Sequence, residues 1–424
     1  MELGAHGPAD PGHGVHHGTA PSAPLGCGPG RPARRDLTSA DPLVRVRERE
    51  YPDPGPGIFL NTASWGLLPR SAAEEVADLT LRRNRASGFE ESELGDIQRR
   101  ARRALAALLR VEARDVALVP NTSFGVNLAA HLVAHRCAPG RIVVSAGEFP
   151  ANVLPWKVLE RRGFDVHLTP TDEDGSPRED ALLAALDAPG VRALAVSAVQ
   201  FITGYRADLA TLGAACRERG ILFCIDAIQA VGAVPFHPTE VHADVVACGG
   251  QKWLCSPWGS GFLWMRPELR DGFAPPMVSW LATEDGADFD DLLHYRMDWR
   301  DDARRYELAT NGIQDYLGLA RSAEVFLEIG LDRIERHLAD VLAPLRDWIS
   351  ARDGARCITP ADPAHRAGIL SFRSAGVGAF AEALHAAGVV VSVREGALRF
   401  APHVYTTRTQ VEQVIRILDG TPGD

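Results

Sequence analysis

Two stretches of this chain end an apolar run in side chains that do chemistry. In Ile221-Leu-Phe-Cys-Ile-Asp-Ala-Ile-Gln229 the run delivers an acid, Asp226, and an amide, Gln229; in Asp244-Val-Val-Ala-Cys-Gly-Gly-Gln-Lys252 it runs into glycines and then Gln251 and Lys252. An amine and a carboxylate, each just past a buried strand, suit a cofactor with an aldehyde and a basic ring nitrogen. The lysine holds the aldehyde and the acid holds the nitrogen, which is the requirement of pyridoxal phosphate. A lone lysine would mean little; the pairing carries the reading.

The elements that must position these residues are legible from periodicity. Val116-Ala-Leu-Val-Pro120 reads as a strand, and Asn121-Thr-Ser-Phe-Gly-Val-Asn127 opens a helix after it. Hydroxyls of Thr122 and Ser123, with free N–H groups at a helix start, make an anion site; either residue serves equally as an ordinary N-cap. Strands follow at 141–145, with Phe149 just beyond, and at 191–199, closed by Gln200; then come a helix over 209–219 and the strands 221–225 and 244–248. This alternation predicts an α/β fold with a mostly parallel sheet covered by helices. Ligands then gather beyond the carboxyl ends of the strands, where Thr122, Phe149, Gln200, Asp226 and Lys252 all fall. Ile58–Gly66 resembles a strand running into a turn that carries Asn61 and Ser64, which either face a ligand or cap the helix starting near Arg70. Helical spacing covers 71–110 with a break at Ser87-Gly88, and 313–349 with a break at Gly330. Beyond it, strands at 368–373, 389–393 and 397–401 with helices at 379–387 and 409–418 predict a smaller α+β domain. The expected division is a large domain over 41–309 and a small one over 310–424, with 41–60 available to pack on the small one.

Composition sets the limits. A 424-residue chain with 46% hydrophobic content is long enough for two domains. A net charge of −10 argues against nucleic acid as a partner, and the cluster Arg99, Arg100, Arg102, Arg103 reads as the solvated face of a helix. Seven cysteines without a C-x-x-C pair form neither a disulfide nor a zinc framework, so no metal is expected and the compartment is a reducing one. No run approaches the ~18 apolar residues of a membrane span, and the N-terminus lacks the apolar core of a signal peptide. A cytoplasmic location follows as the default. Residues 1–40, rich in Gly, Pro, Ala and His (His13, His16 and His17 among them), are expected to be a disordered tail. The acidic and aromatic stretch 280–299 reads as surface loops.

From about residue 56 to 418 the chain resembles the class V aminotransferase family, fold-type I pyridoxal phosphate enzymes that include cysteine desulfurases, kynureninase and isopenicillin N epimerase-like proteins. The carriers are Asn121-Thr-Ser with Asn127, Glu148-Phe-Pro-Ala-Asn152 with Pro155-Trp156, Val199-Gln-Phe-Ile-Thr-Gly204, Asp226-Ala-Ile-Gln229, Gly250-Gln-Lys-Trp253, and Leu398-Arg-Phe-Ala-Pro-His403 with Tyr405. The resemblance implies that Lys252 is the Schiff-base lysine and shuttles the Cα proton. Asp226 would pair with the pyridine nitrogen, Gln229 with the phenolic oxygen, and Thr122, Ser123 and Gln251 with the phosphate; Gln200 is placed with them. Ser260 and Thr310 match positions that reach the phosphate from the neighbouring subunit, which implies a homodimer with shared sites. Arg399 matches the clamp for a substrate α-carboxylate, Arg394 is a weaker second match, and the bland reading of Arg399 is a surface arginine.

The departures from the family pattern matter as much. Phe149 stands where desulfurases carry a histidine stacked on the ring; it can stack but cannot move protons. Gly249 and Phe201 replace a hydroxyl residue and an asparagine. Arg394-Glu-Gly-Ala-Leu-Arg399 contains no cysteine to accept sulfur. These features point to an amino-acid enzyme acting at Cα or Cβ: a lyase removing a Cβ substituent, of a C–S type that forms no persulfide, or an epimerase. A transaminase is the alternative and a catalytically silent protein the remote one.

Overall fold

The computed structural model describes residues 41–422 except 53, 54, 56, 91 and 287. The expected disordered tail and its histidines lie outside the described residues.

The chain opens with α1 (Pro42–Glu50), β1 (Ile58–Phe59), α2 (Arg70–Arg82) and α3 (Ser92–Leu109). The central layer alternates: β2 (Val116–Val119), α4 (Thr122–Arg136), β3 (Arg141–Ser145), α5 (Leu154–Val158), β4 (Asp165–Thr169), α6 (Glu179–Leu186), β5 (Val191–Ser197), α7 (Leu209–Arg219), β6 (Leu222–Asp226), β7 (Val245–Gly249) and β8 (Gly261–Met265). Then follow α8 (Ile313–Ile329), α9 (Leu331–Ser350), β9 (Arg356–Cys357), β10 (Leu370–Arg373), α10 (Val377–Ala386), β11 (Val389–Val390), β12 (Ser392–Arg394), β13 (Ala397–Phe400) and α11 (Arg408–Asp419).

Seven strands form one sheet in the order β2-β8-β7-β6-β5-β3-β4. β8 alone runs against its neighbours, so the other six deliver their carboxyl ends to one edge. The inner strands are apolar on both faces because both are covered. One face meets α3, α6, α7 and α8 through Leu118, Val143, Leu194, Phe223, Val246 and Phe262. The other meets α4 and α5 through Val119, Ile142, Val144, Ala193, Ala247 and Leu263. This is the mostly parallel, helix-covered α/β sheet expected from the alternation. A four-stranded antiparallel sheet, β12-β13-β10-β9, builds a second core with α9, α10 and α11 around Leu370, Phe372, Leu398 and Phe400.

Several elements differ from the sequence reading. β4, β8, α1, α6 and β9 went unread. β4 is an edge strand with exposed positions, and β8 follows a Ser-Pro-Trp-Gly-Ser turn whose chemistry masks the strand behind it. α8 packs on α2 and α3, while β1 pairs in parallel with β11 and Leu60 enters the C-terminal core. The arginine cluster on α3 is solvated only in part: Arg99 and Arg103 are exposed, Arg100 and Arg102 are not. Arg102 is buried against Glu307, whose Oε1 also accepts the Leu118 N–H, and Arg100 bridges Glu75 and Glu324. These pairs fix α3 to α2, α8 and the segment before α8. Among the described residues no helix is long and apolar enough to cross a membrane.

Candidate active site

The lysine turn sits at the edge where the parallel strands end, and its backbone is fixed from three sides. Gly250 N–H donates to Ser260 O at 2.8 Å and Cys255 N–H to Lys252 O at 3.0 Å. A Cβ on Gly250 would lie 2.2 Å from Ser256 Oγ, so no other residue fits there without displacement. The turn carrying Asn61 and Ser64 crosses above: Gly66 N–H donates to Gln251 O, and a Cβ on Gly66 would lie 2.4 Å from Lys252 O. From below, His403 Nε2 lies 2.9 Å from Trp253 O while its Nδ1 accepts the Val404 N–H, which fixes one neutral tautomer. Burial holds that imidazole down to about 3.

Asp226, at the end of β6, is buried. Its Oδ1 accepts the Ile228 N–H at 2.9 Å, and desolvation pushes the carboxyl up to about 6. No cation is hydrogen-bonded to it among the described residues, so it is open to a cationic donor such as a protonated ring nitrogen. Lys252 is half-buried, its Nζ 5.5 Å from the centroid of the Phe149 ring. Desolvation lowers its ammonium to about 8, against the opposing pull of Asp226 and helped by Arg399 and Arg394. A substantial share of the amine is therefore neutral near physiological pH, as imine formation requires. Phe149 keeps one face open to solvent and meets Phe201 edge-on at 5.2 Å, which leaves an aromatic surface beside the lysine for a stacked ring.

The start of α4 offers an anion cradle. Asn121 caps it by accepting the Phe124 N–H, which removes capping as the role of Thr122 or Ser123. Thr122 Oγ1 accepts the Gly249 N–H at 2.8 Å, tying α4 to the end of β7 and leaving its O–H free to donate. The first amides of the helix have no intrahelical acceptor and add to the site. Ser123 is exposed beside them, and Gln251 lies against Gly249. A buried acid wanting a cation, a neutralised amine, an exposed ring and an anion cradle fit pyridoxal phosphate.

Arg399 is buried on β13, which excludes the surface reading. Its Nε donates to Ser392 Oγ, Nη1 to Phe201 O at 2.6 Å and Nη2 to Ser64 Oγ at 2.9 Å. Burial and Arg394 bring the guanidinium down to about 9. Ser64 donates in turn to Asn61 Oδ1, and α2 starts without a side-chain cap, so Asn61 and Ser64 belong to this cluster and cap nothing.

Gln200 and Ser260 turn away from the site, whereas Gln229 and Thr310 keep groups open to a ligand. Gln200 is spent within its own turn: Oε1 accepts from Ile202 N, Thr203 N and Thr203 Oγ1, and Nε2 donates to Gly147 O. It shapes the loop whose Phe201 carbonyl holds Arg399. Gln229 donates to Ala63 O and accepts from Trp253 Nε1, leaving one amide hydrogen for a ligand. Ser260 is fully buried, bonded to Pro257 O and Ser256 Oγ, so it braces its own lysine turn and presents nothing to a neighbour. Thr310 is exposed with φ 56° and lines a different cavity, with Gln98, Arg102 and Trp280. Cys255 is buried and its thiol raised far above the usual range by burial.

Two residues received no role from the sequence. Glu148 is buried at the end of β3, where its carboxylate accepts from Ser197 N, Ser197 Oγ and Asn152 Nδ2; burial raises it to about 7. It joins β3 to β5 directly beside Asp226, since Ser197 pairs with Asp226 across the strands. His403 was the other. Both stood in motifs already noted, and only packing distinguishes a clamp from a surface polar group.

The family model for class-V aminotransferases matches residues 72–417. A probable cysteine desulfurase of Aeropyrum pernix is 28% identical over 76% of this chain and 80% of its own length. The isopenicillin N epimerase of Amycolatopsis lactamdurans is 29% identical over 88% of this chain and 97% of its own. Among solved structures, an apo cysteine desulfurase from Thermococcus onnurineus NA1 superposes with a TM-score of 0.79 at 23% identity, covering 88% of this chain and 96% of that one. With a matching family model over most of its length and a site that fits the cofactor, this chain belongs to the class-V aminotransferase family and is a pyridoxal phosphate-dependent enzyme.

Proposed function

We propose that the enzyme takes the proton from Cα of an amino acid through Lys252 and expels a substituent from Cβ, as a C–S lyase that leaves no persulfide on the protein. Bound pyridoxal phosphate supplies a sink for the electron pair left when a bond at Cα breaks. The chain's part is to hold the α-carboxylate on Arg399, keep the ring nitrogen protonated through Asp226, and move the proton on Lys252 Nζ.

The observation that carries the reading is that, among the described residues, no available thiol stands beside Lys252. Cys248 and Cys255, the cysteines of the lysine loop, are buried with thiols pushed well above their ordinary range, and the β12–β13 turn has none. Epimerisation is the second reading, favoured by likeness to an isopenicillin N epimerase over nearly its whole length. Against it stands Phe149, which lies beside Lys252 with no proton to give, so a two-base inversion lacks its second base. Transamination remains the alternative that needs a 2-oxo acid.

Supplying S-substituted cysteines in deuterated water separates these reactions. Pyruvate, ammonium and thiol without an acceptor are expected. Deuterium at Cα of recovered substrate indicates epimerisation, acceptor-dependent product indicates transamination, and protein-bound sulfane sulfur from cysteine contradicts the proposal.

The homodimer with shared sites belongs to the same proposal. It is supported by Thr310, exposed away from its own lysine, and by the exposed Trp258, Leu293 and Tyr295. Six described cysteines are free, which supports a reducing, cytoplasmic setting.

A further inference from the structure

Two guanidinium groups meet on one serine oxygen. Arg399 Nη2 donates to Ser64 Oγ at 2.9 Å, and Arg394 Nη2 approaches the same atom at 3.3 Å. Arg394 ends β12 at the β12–β13 turn, where Glu395 and Gly396 both take positive φ and fold the chain back tightly, and Arg399 lies two residues into β13, paired with Ser392. Like charges this close repel, and among the described residues neither arginine has an ion pair with an acid. An exposed arginine ordinarily turns to solvent or to a carboxylate. Arg394 instead faces another cation. Lys252 adds a third positive group nearby, while Asp226 is reserved for the ring nitrogen.

The donor count separates the duties of the two arginines. Arg399 spends one N–H on Ser392, one on Phe201 O and one on Ser64, which leaves one on each terminal nitrogen. That pair is what a carboxylate takes in a bidentate contact, so Arg399 is sufficient for the α-carboxylate. Arg394 Nη1 donates to Val393 O and Nη2 to Ser64, which leaves Nε–H and two further N–H groups at the mouth of the site. We propose that Arg394, held in place by Ser64, forms a second anion subsite beside Arg399, selecting amino acids whose side chains end in a carboxylate. The inference rests on the proposed amino-acid chemistry and names its substrate class. Ser64, as donor to Asn61 and acceptor from both arginines, sets the spacing between the two anions.

Equilibrium binding to the holoenzyme, followed by tryptophan fluorescence and visible absorbance, tests this with 2-aminoadipate, which carries the side-chain carboxylate but no leaving group on Cβ, and its side-chain amide. The wild-type enzyme is expected to bind the diacid at least tenfold more tightly than the amide. In Arg394→Gln that ratio falls toward one because the diacid weakens, and Arg394→Lys, which keeps the charge, recovers part of it. Equal binding of diacid and amide by the wild type overturns the proposal. Equal weakening of both ligands in Arg394→Gln also overturns it, since Arg394 would then share the α-carboxylate. If neither ligand binds the wild type while the cofactor is in place, the amino-acid reading itself fails, and the subsite with it.

Discussion

At the scale of single residues, burial decides which polar groups do chemistry. Asp226 and Arg399 are charged groups shut away from water with no ion pair among the described residues, an arrangement that costs several kcal/mol unless a ligand completes it. Asp226→Asn removes the charge that keeps the ring nitrogen protonated, and kcat is expected to fall on the order of a hundredfold or more while cofactor still binds; steady-state kinetics with a spectrum of the variant check both. Arg399→Gln is expected to lower kcat/KM by roughly thirtyfold or more, the ~2 kcal/mol or greater cost of losing one partner of a buried charge pair, and the loss should sit mainly in KM. The lowered lysine has its own signature. Its ammonium is displaced to about 8, so half of the amine is neutral at that pH and the neutral fraction keeps rising above it. The rate at which apoenzyme takes up pyridoxal phosphate should therefore rise through pH 8 toward a plateau, and a flat stopped-flow profile from pH 6 to 9 would count against this. Lys252, Asp226, Thr122, Phe149 and Arg399 were legible because each ends an apolar run or matches a motif. Gln200 and Ser260 satisfied the same rule yet turn inward, because position past a strand does not reveal whether an amide or hydroxyl is already bonded by its own loop.

At the scale of elements, the lysine turn is held by groups far away in sequence. His403 stacks on Phe326, at 5.1 Å between ring centroids, and bonds Trp253 O. His403→Ala opens a cavity and strands that carbonyl, so a loss of about 2–4 kcal/mol is expected in denaturant melts. The sign of the pH dependence follows from the same burial. The folded imidazole titrates near 3 against an ordinary 6.5, and His337 is likewise lowered to about 4. Unfolding therefore takes up protons between these values. Their contribution is fully present above pH 6.5 and is lost as pH falls through that window toward 3, and His403→Asn should flatten the fall in Tm. α7 matched its sequence-read boundaries, as did the break at Gly330, because Asp208 and Gly220 cap one helix and a positive-φ glycine parts the others. β4 and β8 were illegible for the opposite reason: short strands whose stability comes from their neighbours carry little local signal.

At the scale of the molecule, the parallel edge of one sheet gathers residues from six separate segments, and the α/β alternation made that edge predictable. The small antiparallel sheet contributes the arginines. The proposed dimer predicts that Thr310 serves the neighbour's phosphate, so mixing inactive Lys252→Ala with a cofactor-poor Thr310→Ala should restore one intact site per mixed dimer. Recovery of activity on mixing measures this; no recovery assigns Thr310 to its own chain. The central claim is that Lys252 carries the cofactor, and the chain simplifies its test because Lys157 is the only other lysine, on the surface beside Glu160. Reducing the coloured holoenzyme with borohydride, digesting it and mapping the pyridoxyl adduct by mass spectrometry gives the answer: the adduct is expected on the peptide containing Lys252 and missing from Lys252→Ala. An adduct on Lys157, or a colourless wild-type protein with none, contradicts the account.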